Sequence, residues 1–298
     1  MSEKNSFVKD LNEEAIEISV MIIKRLYKTG NKTVFLMSDK TGYIKGKISE
    51  SKSIFIGQVI AFNAKNENVV DIKEYTIVTD YKTSEYLITT KKSIESMMTE
   101  IEEISKEYII SPEANRLSDY FFKDEAFLDK FKRGIGGVSM HHAYIGGLVE
   151  HTLNVMKLTK TLCEMYDCRR KEIAVLGAKL HDIGKIYELD FDGPFKYTTR
   201  GQLEGHIVIG VQMIDEAIRN QENKYTEDFI RRIKGCIVQH HGKLEYGSPR
   251  EANMEESIII NHADGIDAMM NKVERMKEHI GYDEWSEYDK KLEKKLYL

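Results

Sequence analysis

Seven side chains that can bind metal ions occur in the second half of the chain, each beside apolar residues. They are His151, His181, Asp182, His206, His240, His241 and Asp264. Imidazole and carboxylate groups suit zinc, manganese and iron, and a mixed nitrogen and oxygen set can hold two ions. Unrelated core histidines are the alternative, but each of them would need a buried partner of its own. The set therefore favours a shared metal centre.

The spacing of neighbouring apolar residues predicts that these groups face one core. His151 follows Leu148 by three residues and precedes Val155 by four, so the three side chains share one face of a helix. Similar apolar runs surround the other candidates, which predicts five helices that each bring polar groups inward. The neighbours His240 and His241 would diverge by roughly 100° on a regular helix. We therefore expect the helix to be distorted there, where a glycine follows.

Five segments around these residues together resemble a known family. They read MHHAYIGGLVEHT (140–152), HDIGKIYEL (181–189), GQLEGHIVIG (201–210), HHGKLEYGSP (240–249) and HADGIDAMM (262–270). The run HDIGK looks like the motif of HD-domain phosphohydrolases, and the order of all seven groups resembles the two-metal subset of that superfamily. The segments are more narrowly similar to the YhaM-type 3′→5′ exoribonucleases. This resemblance implies an enzyme that removes nucleotides from the 3′ end of single-stranded RNA.

The ligand chemistry gives these residues expected roles, with Asp182 and Lys185 acting in catalysis. Asp182 is the expected bridge, because a carboxylate has two oxygens and can contact two ions. The other ligands then divide into His151, His181 and Asp264 for one ion and His206, His240 and His241 for the other. A hydroxide between ions about 3.5–4 Å apart is aimed at phosphorus for in-line attack. We expect Lys185 to offset negative charge on the phosphate, and a surface lysine at a helix terminus is the alternative.

Residues around the motifs supply the expected substrate contacts, several of which match loop motifs of the resembled family. They are His142, Lys185, Gly201, Gln202, Lys243, Ser248 and Arg250. A capping or structural role is the alternative for His142, and simple solvation is the alternative for the loop residues. His141 is a weaker candidate, and Asp267 is expected to support the site or the fold.

The cofactors and partners follow from the ligand set and the resemblance. Two divalent ions per subunit are expected; the resemblance implies Mn²⁺, while Fe, Co, Ni and Mg stay open because imidazole and carboxylate accept them as well. The expected partner is single-stranded RNA or DNA, or a nucleotide. A homo-oligomer is one expectation for the amphipathic C-terminal stretch, which otherwise predicts a packing helix.

The pattern of strands and helices predicts an α+β multidomain chain. Five β-rich segments between residues 18 and 78 predict a small closed barrel of the OB type, and from about residue 84 the apolar period becomes helical. The resulting boundaries are a flexible tail (1–12), an OB-fold-like nucleic-acid-binding domain (13–82), a helical connector (83–135), an all-α HD phosphohydrolase bundle (136–272) and a C-terminal helical tail (273–298).

Composition and charge limit the class of protein. A net charge of −5 argues against a protein that coats nucleic acid through bulk electrostatics, but an enzyme that grips a strand locally is compatible with it. No apolar stretch reaches membrane length, and the first residues lack the pattern of a secretion signal. The three cysteines have no CxxC spacing and are expected to be reduced thiols, which favours a cytoplasmic protein without a membrane partner.

The barrel region combines lysines with aromatic residues, which is how OB folds hold single strands. The residues concerned are Lys24, Lys28, Lys32, Lys40, Lys45 and Lys47, with Phe35, Tyr43 and Phe62. In the alternative, the aromatic rings fill the barrel core and the lysines only make its surface polar.

Two other functions compete with the exoribonuclease. An HD-type phosphodiesterase or phosphatase could act on small or cyclic nucleotides, although no GYP element typical of cyclic-dinucleotide enzymes follows the HD motif. A single-strand-binding protein could carry an HD half without catalysis, but such a protein has no need for seven metal-capable groups. Addition of EDTA separates these classes, because it abolishes metal-dependent cleavage and leaves simple strand binding intact.

Overall fold

The computed structural model of the chain describes residues 4–49, 54–138, 142–222, 224–277, 280–289 and 292–298. Six strands form a curled N-terminal sheet in the order β5-β3-β2-β1-β4-β6. They are β1 (Ile16–Thr29), β2 (Lys32–Asp39), β3 (Gly42–Ser49), β4 (Val59–Ala64), β5 (Val70–Asp71) and β6 (Thr76–Val78).

The long strand β1 gives this sheet its curvature. Its first half pairs with β4 and its second half with β2, and the pairing with β2 shifts register twice after Ile22. Such bulges bend a strand and increase its twist. β5 runs parallel to β3 at the other end of the sheet, and the arrangement is consistent with the partly open OB-type barrel.

The barrel differs from the sequence prediction in one element. The segment expected as a fifth strand is split, so that β5 pairs with β3 and β6 pairs with β4. Among the described residues the strands form a half-barrel with two edges instead of a closed ring. Alternating apolar residues predict strands, but they do not show which neighbour each half of a segment joins.

The aromatic residues of the barrel divide between its core and its surface. Phe35 and Phe62 are buried in the cluster that fills the curled sheet. Tyr43 lies on β3 with nearly half of its surface exposed. The core-filling alternative therefore holds for both phenylalanines and not for Tyr43.

Residues 4–12 pack against the barrel and so differ from the predicted flexible tail. The ammonium of Lys4 lies 2.6 Å from a carboxylate oxygen of Asp39, and both side chains are buried. The same oxygen accepts a hydrogen bond from the Val8 amide. A short polar segment has no apolar periodicity, so its sequence does not reveal such an attachment.

Nine helices are found in the rest of the described chain. They are α1 (Ile94–Tyr108), α2 (Pro112–Phe122), α3 (Glu125–Arg133), α4 (Gly147–Met165), α5 (Lys171–Leu180), α6 (Lys185–Glu188), α7 (Thr199–Asn220), α8 (Glu227–Gln239) and α9 (Glu255–Lys277). A small hairpin of β7 (Leu189–Asp190) and β8 (Lys196–Tyr197) joins α6 to α7. Five helices start at a Ser, Asp or Thr whose side chain accepts an amide hydrogen bond, the usual N-cap: Ser93, Ser111, Asp124, Thr198 and Thr226.

The nine helices share one apolar core. Met97, Leu117 and Phe131, from α1, α2 and α3, are buried in the same cluster as Leu153 of α4 and Ile260 of α9. The segment predicted as a connector is therefore part of the bundle. Its amphipathic pattern predicts the helices, but pattern alone does not say which core their apolar faces join.

The barrel rests on the bundle through a smaller apolar cluster. Met21 and Val59 of the sheet pack with Tyr86 and Leu87 of the linking segment, and the half-buried Ile145 lies against them. This contact holds the sheet beside the bundle.

The C-terminal region is not the helix that the sequence predicts. α9 ends at Lys277, and the described residues beyond it form isolated bridges, Trp285 with Tyr297 and Asp289 with Lys294. Gly281 and a left-handed Asp283 interrupt the helical pattern. Within the described ranges, no helix combines the length and the apolar character needed to cross a membrane.

Candidate metal centre

The seven predicted side chains converge at the centre of the bundle. Nε2 of His151 lies 3.3 Å from Asp182, 3.2 Å from Asp264 and 3.2 Å from Nε2 of His181. These residues come from α4, from the end of α5 and from α9. The ligand atoms of the other group, His206, His240 and His241, all lie within 4.8 Å of one another.

Asp182 stands between the two groups. Its Oδ2 lies 3.3 Å from His151 and 3.4 Å from His181, and its Oδ1 lies 3.4 Å from His206 and 3.7 Å from His240. Each oxygen therefore faces one set of imidazoles. This is the geometry that a bridging carboxylate requires, and it supports the predicted division of ligands as a proposal.

The five imidazoles all direct Nε2 inward because Nδ1 is engaged elsewhere. The acceptors of Nδ1 are Asp267 for His151, the Ala178 carbonyl for His181, Glu188 for His206, the Ile237 carbonyl for His240 and the Tyr246 carbonyl for His241. A metal-bound histidine typically donates its second N–H to such a carbonyl or carboxylate, which fixes the ring and its tautomer. The pattern leaves the Nε2 lone pairs available to a cation.

Three buried atoms of the site make no hydrogen bond within the described part of the chain. They are Oδ1 of Asp182, Nε2 of His206 and Nε2 of His240. An unsatisfied buried polar group costs about 1–3 kcal/mol, yet these three point toward one another. A divalent ion among them would satisfy all three, so the donor set fits a metal ion.

The charges on the first group of ligands also suit a cation. Burial alone would lower the pKa of His151, but hydrogen bonds with Asp182, Asp264 and Asp267 raise it well above its ordinary range. Three carboxylates thus surround a single imidazole. A cation at this position would supply the positive charge that a proton on His151 otherwise supplies.

Two ligands of the second group, His240 and His241, are held neutral. Burial lowers the pKa of His240 well below its usual value, and the nearby His241 adds to the effect. Burial also lowers the pKa of His241. Because the neutral imidazole is the form that binds metal, these two residues are already in the ligating state.

The end of α8 is distorted in the way that two adjacent ligands require. The helix ends at Gln239, and His240 is its C-cap. Gly242 has a φ of 76° and its Cα lies so close to the Asn261 side chain that a Cβ would clash with it. The expected break after His241 is therefore present.

Lys185 is buried at the start of α6 and contacts the central aspartate. Its Nζ lies 2.6 Å from Oδ2 of Asp182, and the residue is 8% exposed. Burial alone would lower the pKa of Lys185, but Asp182 raises it, so the side chain is positively charged. The surface-lysine alternative is therefore wrong.

Three predicted substrate contacts lie behind the site or inside the fold. His142 is 0% exposed and binds Asp267 through Nε2 and Tyr144 through Nδ1, so it supports His151 from behind through Asp267. Its neighbour His141 lies outside the described residues. Gly201 packs so closely on Glu188 that a Cβ would lie 2.1 Å from the carbonyl oxygen. Ser248 is buried and donates to backbone carbonyls. Sequence alone does not distinguish such packing residues from residues at the edge of the site that bind substrate.

The other predicted contacts are at the surface near the site. Gln202 is exposed in the first turn of α7, and Lys243 and Arg250 are exposed in the loop after His241. Lys243 lies over the ring of Tyr246 and 3.4 Å from Glu245. Their role in binding stays a prediction.

Two features of the site were not predicted from sequence. Glu188 accepts hydrogen bonds from both the amide and the ring of His206, at 3.0 and 3.1 Å. Tyr246 holds His241 through its carbonyl at 2.9 Å. Glu188 lies three residues after Lys185, the last residue of the HDIGK motif, and both belong to α6. This closeness to the motif is the one sequence feature that could have pointed to Glu188. Tyr246 contacts His241 through its backbone carbonyl, which every residue type has, so the sequence could not reveal this contact.

Comparisons with known proteins find a matching family model over the region that holds these side chains. Residues 148–269 match the model of the HD domain, and this range includes all seven converging side chains. The chain is 28% identical to the protein named 3′-5′ exoribonuclease YhaM from Geobacillus sp. (strain WCH70), over 85% of this chain and 80% of the relative. It is also 28% identical to the protein of that name from Halalkalibacterium halodurans, over 95% of this chain and 92% of the relative.

A shorter alignment, with another relative, has a higher sequence identity. It covers 49% of this chain and 46% of the Bacillus subtilis protein with the same name, at 32% identity. No solved structure matches the chain. The chain therefore contains an HD domain and is related over most of its length to the proteins named 3′-5′ exoribonuclease YhaM.

Proposed function

We propose that this protein is a metal-dependent 3′→5′ exoribonuclease that hydrolyses the phosphodiester bonds of single-stranded RNA. The observation that carries the proposal is the convergence of seven side chains around Asp182, with Nε2 of every imidazole directed inward. Relatives that align over 80–92% of their own length bear the name of this activity.

Two divalent ions would be held by the two groups of ligands that Asp182 joins. Mn²⁺ is the ion we propose, because imidazole and carboxylate ligands suit it. When bound, such a pair supplies the activated water and the charge neutralisation that phosphodiester hydrolysis needs at neutral pH.

The chain's own residues orient the ligands and balance the charge. Asp267 and Glu188 fix the rings of His151 and His206, so that both Nε2 lone pairs face inward. Lys185 carries a positive charge into a buried position where it can meet a phosphate oxygen. A positioned cation of this kind stabilises negative charge that develops in the transition state.

The N-terminal half-barrel would hold the strand during successive cleavages. Lys24 of β1 and Lys45 of β3 both pair with Leu36 of β2, which places one exposed lysine on either side of Leu36 on the same face of the sheet. Tyr43 lies two residues before Lys45 on the same face of β3 and is 46% exposed. Lysines beside an exposed ring suit a single strand, because they bind its phosphates and stack its bases.

The location and the assembly of the protein belong to the same proposal. Cys163, Cys168 and Cys236 are all buried free thiols, which favours action in the cytoplasm. α9 exposes Ile266 and Met269, an apolar face on which a homo-oligomer could form.

The test is a cleavage assay with single-stranded RNA labelled at either end. With Mn²⁺, the 5′-labelled strand should shorten step by step, and the 3′-labelled strand should release labelled mononucleotide at once. EDTA should stop both reactions. Strand binding that persists in EDTA without any cleavage in Mn²⁺ would favour a binding module, and cleavage confined to small or cyclic nucleotides would favour the other phosphodiesterase.

A further inference from the structure

A cavity of about 190 Å³ opens beside the second group of metal ligands. It is lined by Glu188, Glu204, Gly205, His206, Ile207, Val208, His241, Tyr246, Gly247 and Pro249. Sites that enclose a drug-sized ligand usually measure roughly 300–1,000 Å³, so this cavity suits one nucleoside and not a folded nucleic acid.

The backbone shapes this cavity from two directions. Gly205 interrupts α7 with φ 74° and ψ 156°, and the amide of the next residue, His206, binds Glu188. On the other side, Gly247 adopts a φ of 82° at the end of the turn that contains Tyr246. The kink and the turn therefore place side chains of α7 and of the loop around one space.

The apolar part of the lining suits a planar ring. Tyr246 is 64% exposed, far more than an aromatic ring that fills a core. Val208 of α7 is also exposed, and Pro249 adds an apolar side chain from the loop. Bases of every identity stack on an exposed aromatic ring such as that of Tyr246, because every base has a π face.

The polar part of the lining selects a neutral, hydrogen-donating group. Glu188 and Glu204 contribute two carboxylates. Arg200 contacts Oε2 of Glu204 at 3.3 Å, and Oε1 has no hydrogen bond within the described ranges of the chain. Carboxylates accept hydrogen bonds from hydroxyl groups and repel phosphate. A molecule that suits this cavity thus has a ring and hydroxyl groups inside it, and its phosphate points toward His206 and His241.

We propose that this cavity receives the 3′-terminal nucleoside of the strand, with its base against Tyr246 and its free ribose hydroxyls facing Glu204. The proposal rests on the exoribonuclease function. It adds a specificity: the enzyme requires a 3′-hydroxyl end, because a terminal phosphate would meet the carboxylates. The scissile phosphate then lies at the metal ligands that border the same cavity.

The base contact is tested with Tyr246→Ala in the full-length protein. With Mn²⁺ and a 5′-labelled RNA that ends in a 3′-hydroxyl, KM should rise about tenfold or more, as loss of one stacked base predicts. Tyr246→Phe keeps the ring and should stay within about twofold of the wild type, by the same stacking argument. Tyr166→Ala, an exposed tyrosine at the end of α4, is the matched control.

Metal content separates a substrate contact from a structural one. His241 is held by the Tyr246 carbonyl, which remains in Tyr246→Ala. Elemental analysis should therefore find as much Mn²⁺ in this variant as in the wild type. A loss of Mn²⁺, or an unchanged KM with RNA, would overturn the assignment of the ring to the nucleoside.

The hydroxyl contact is tested with paired RNAs that end in a 3′-hydroxyl or a 3′-phosphate. The wild type should remove the first nucleotide much faster from the 3′-hydroxyl strand. Glu204→Gln should reduce this preference by about fivefold, since it removes one repulsive charge. Glu216→Gln, an exposed residue farther along α7, should leave the preference unchanged.

The outcomes distinguish this cavity from the proposed function. Equal rates on both strands in the wild type would overturn the cavity assignment and leave the exoribonuclease standing. A wild type that cleaves neither strand in Mn²⁺ would overturn the function and, with it, the cavity assignment.

Discussion

At the scale of single residues, the site is built so that few of its groups can move. Asp267 accepts hydrogen bonds from both His142 and His151, at 2.7 and 2.6 Å. The amide of Asn154 donates to the other oxygen of the same carboxylate at 2.7 Å. Supporting contacts of this kind typically change metal affinity or activity by about 10–100-fold when they are lost. The position of His151 therefore depends on residues that do not themselves face the ions.

Lys185→Ala should lower kcat by about 10²–10³ and leave KM for RNA much less changed. A group that stabilises charge mainly in the transition state contributes to kcat in this way. Steady-state kinetics with 5′-labelled RNA measures both parameters. Lys179 and Lys185 are both buried lysines, but Lys179 faces the serines of α1 and α2, so Lys179→Met serves as the control for loss of a buried lysine. An unchanged kcat in Lys185→Ala would remove this residue from catalysis.

The residue types revealed the ligands better than they revealed their surroundings. A polar residue on an apolar helical face is visible in the sequence, and all seven such candidates come together. The roles of Gly201 and Ser248 were not visible, because a tight backbone approach and a buried hydroxyl look like an ordinary loop until the neighbouring Glu188 and Val238 carbonyls are placed.

At the scale of helices, α6 and α7 meet at a contact that only glycine permits. A Cβ on Gly184 would lie 2.1 Å from the carbonyl oxygen of His206 and 2.8 Å from the amide nitrogen of Gly210. The distance between the two helices sets the distance between Asp182 and His206, since each ligand lies next to the contact. This packing connects helix geometry directly to the metal centre.

Gly184→Ala should therefore weaken metal binding as well as the fold. Insertion of a methyl group into a packed contact typically costs about 1–3 kcal/mol of unfolding free energy, and α7 must shift away from Asp182. Urea unfolding and Mn²⁺ titration measure the two effects. Gly193→Ala is the matched control, because a Cβ on Gly193 meets nothing within 4 Å. Normal Mn²⁺ affinity in Gly184→Ala would show that the helix contact does not set the ligand geometry.

The bundle also contains a buried lysine whose charge opposes folding. Nζ of Lys179 lies 2.9 Å from the hydroxyls of Ser105 and Ser118, and burial lowers its pKa to about 8. An unfolded lysine has a pKa of about 10.4. Between these two values the unfolded chain binds more protons than the folded chain, so the unfolding free energy rises with pH. Below both values the two states are equally protonated and the cost of burying the charge is constant.

The unfolding free energy of the wild type should consequently rise relative to that of Lys179→Met between about pH 8 and pH 10.4, by about 3 kcal/mol at most. Urea unfolding in EDTA measures the difference without a contribution from metal ions. The subtraction cancels the groups that titrate alike in both proteins. A difference that stays constant over this pH range would contradict the lowered pKa.

The sequence indicated most helices and strands, but not which of them pair or pack with one another. The helices α4, α5, α7, α8 and α9 follow from apolar periodicity. The split of the fifth strand and the packing of Lys4 on Asp39 depend on contacts between distant segments. The expected C-terminal helix failed because its apolar stripe is short, and Gly281 ends the pattern soon after α9.

At the scale of the whole molecule, the half-barrel packs against the segments that lead to the metal centre. The segment before β4 reaches the bundle, where a Cβ on Gly57 would lie 3.6 Å from Pro194 in the loop between β7 and β8. That loop leads into α7, which carries His206. The sheet therefore packs against the loop that leads to the helix carrying one of the metal ligands.

Charge reversal on the sheet should lower the affinity for single-stranded RNA. It should also make that affinity less dependent on salt concentration. Each lost phosphate contact lowers the slope of log K against log salt by about 0.7 for a single strand, so Lys24→Glu with Lys45→Glu should lower it by about 1.4. Fluorescence anisotropy in EDTA measures binding without cleavage. Lys106→Glu with Lys123→Glu, at exposed positions of the bundle, is the matched control. Equal slopes for the two double variants would show that this face of the barrel does not hold the strand.

The bridged two-ion centre is tested most directly by the Mn²⁺ content of the wild type and of Asp182→Ala, determined by elemental analysis after equal loading and desalting. Among the residues that the structure describes, Asp182 is the one side chain whose two oxygens face both groups of histidines. We expect close to two ions per chain in the wild type, and loss of both ions together with all RNA hydrolysis in the variant. Two ions retained in Asp182→Ala would contradict the bridged two-ion centre from which the proposed function is derived.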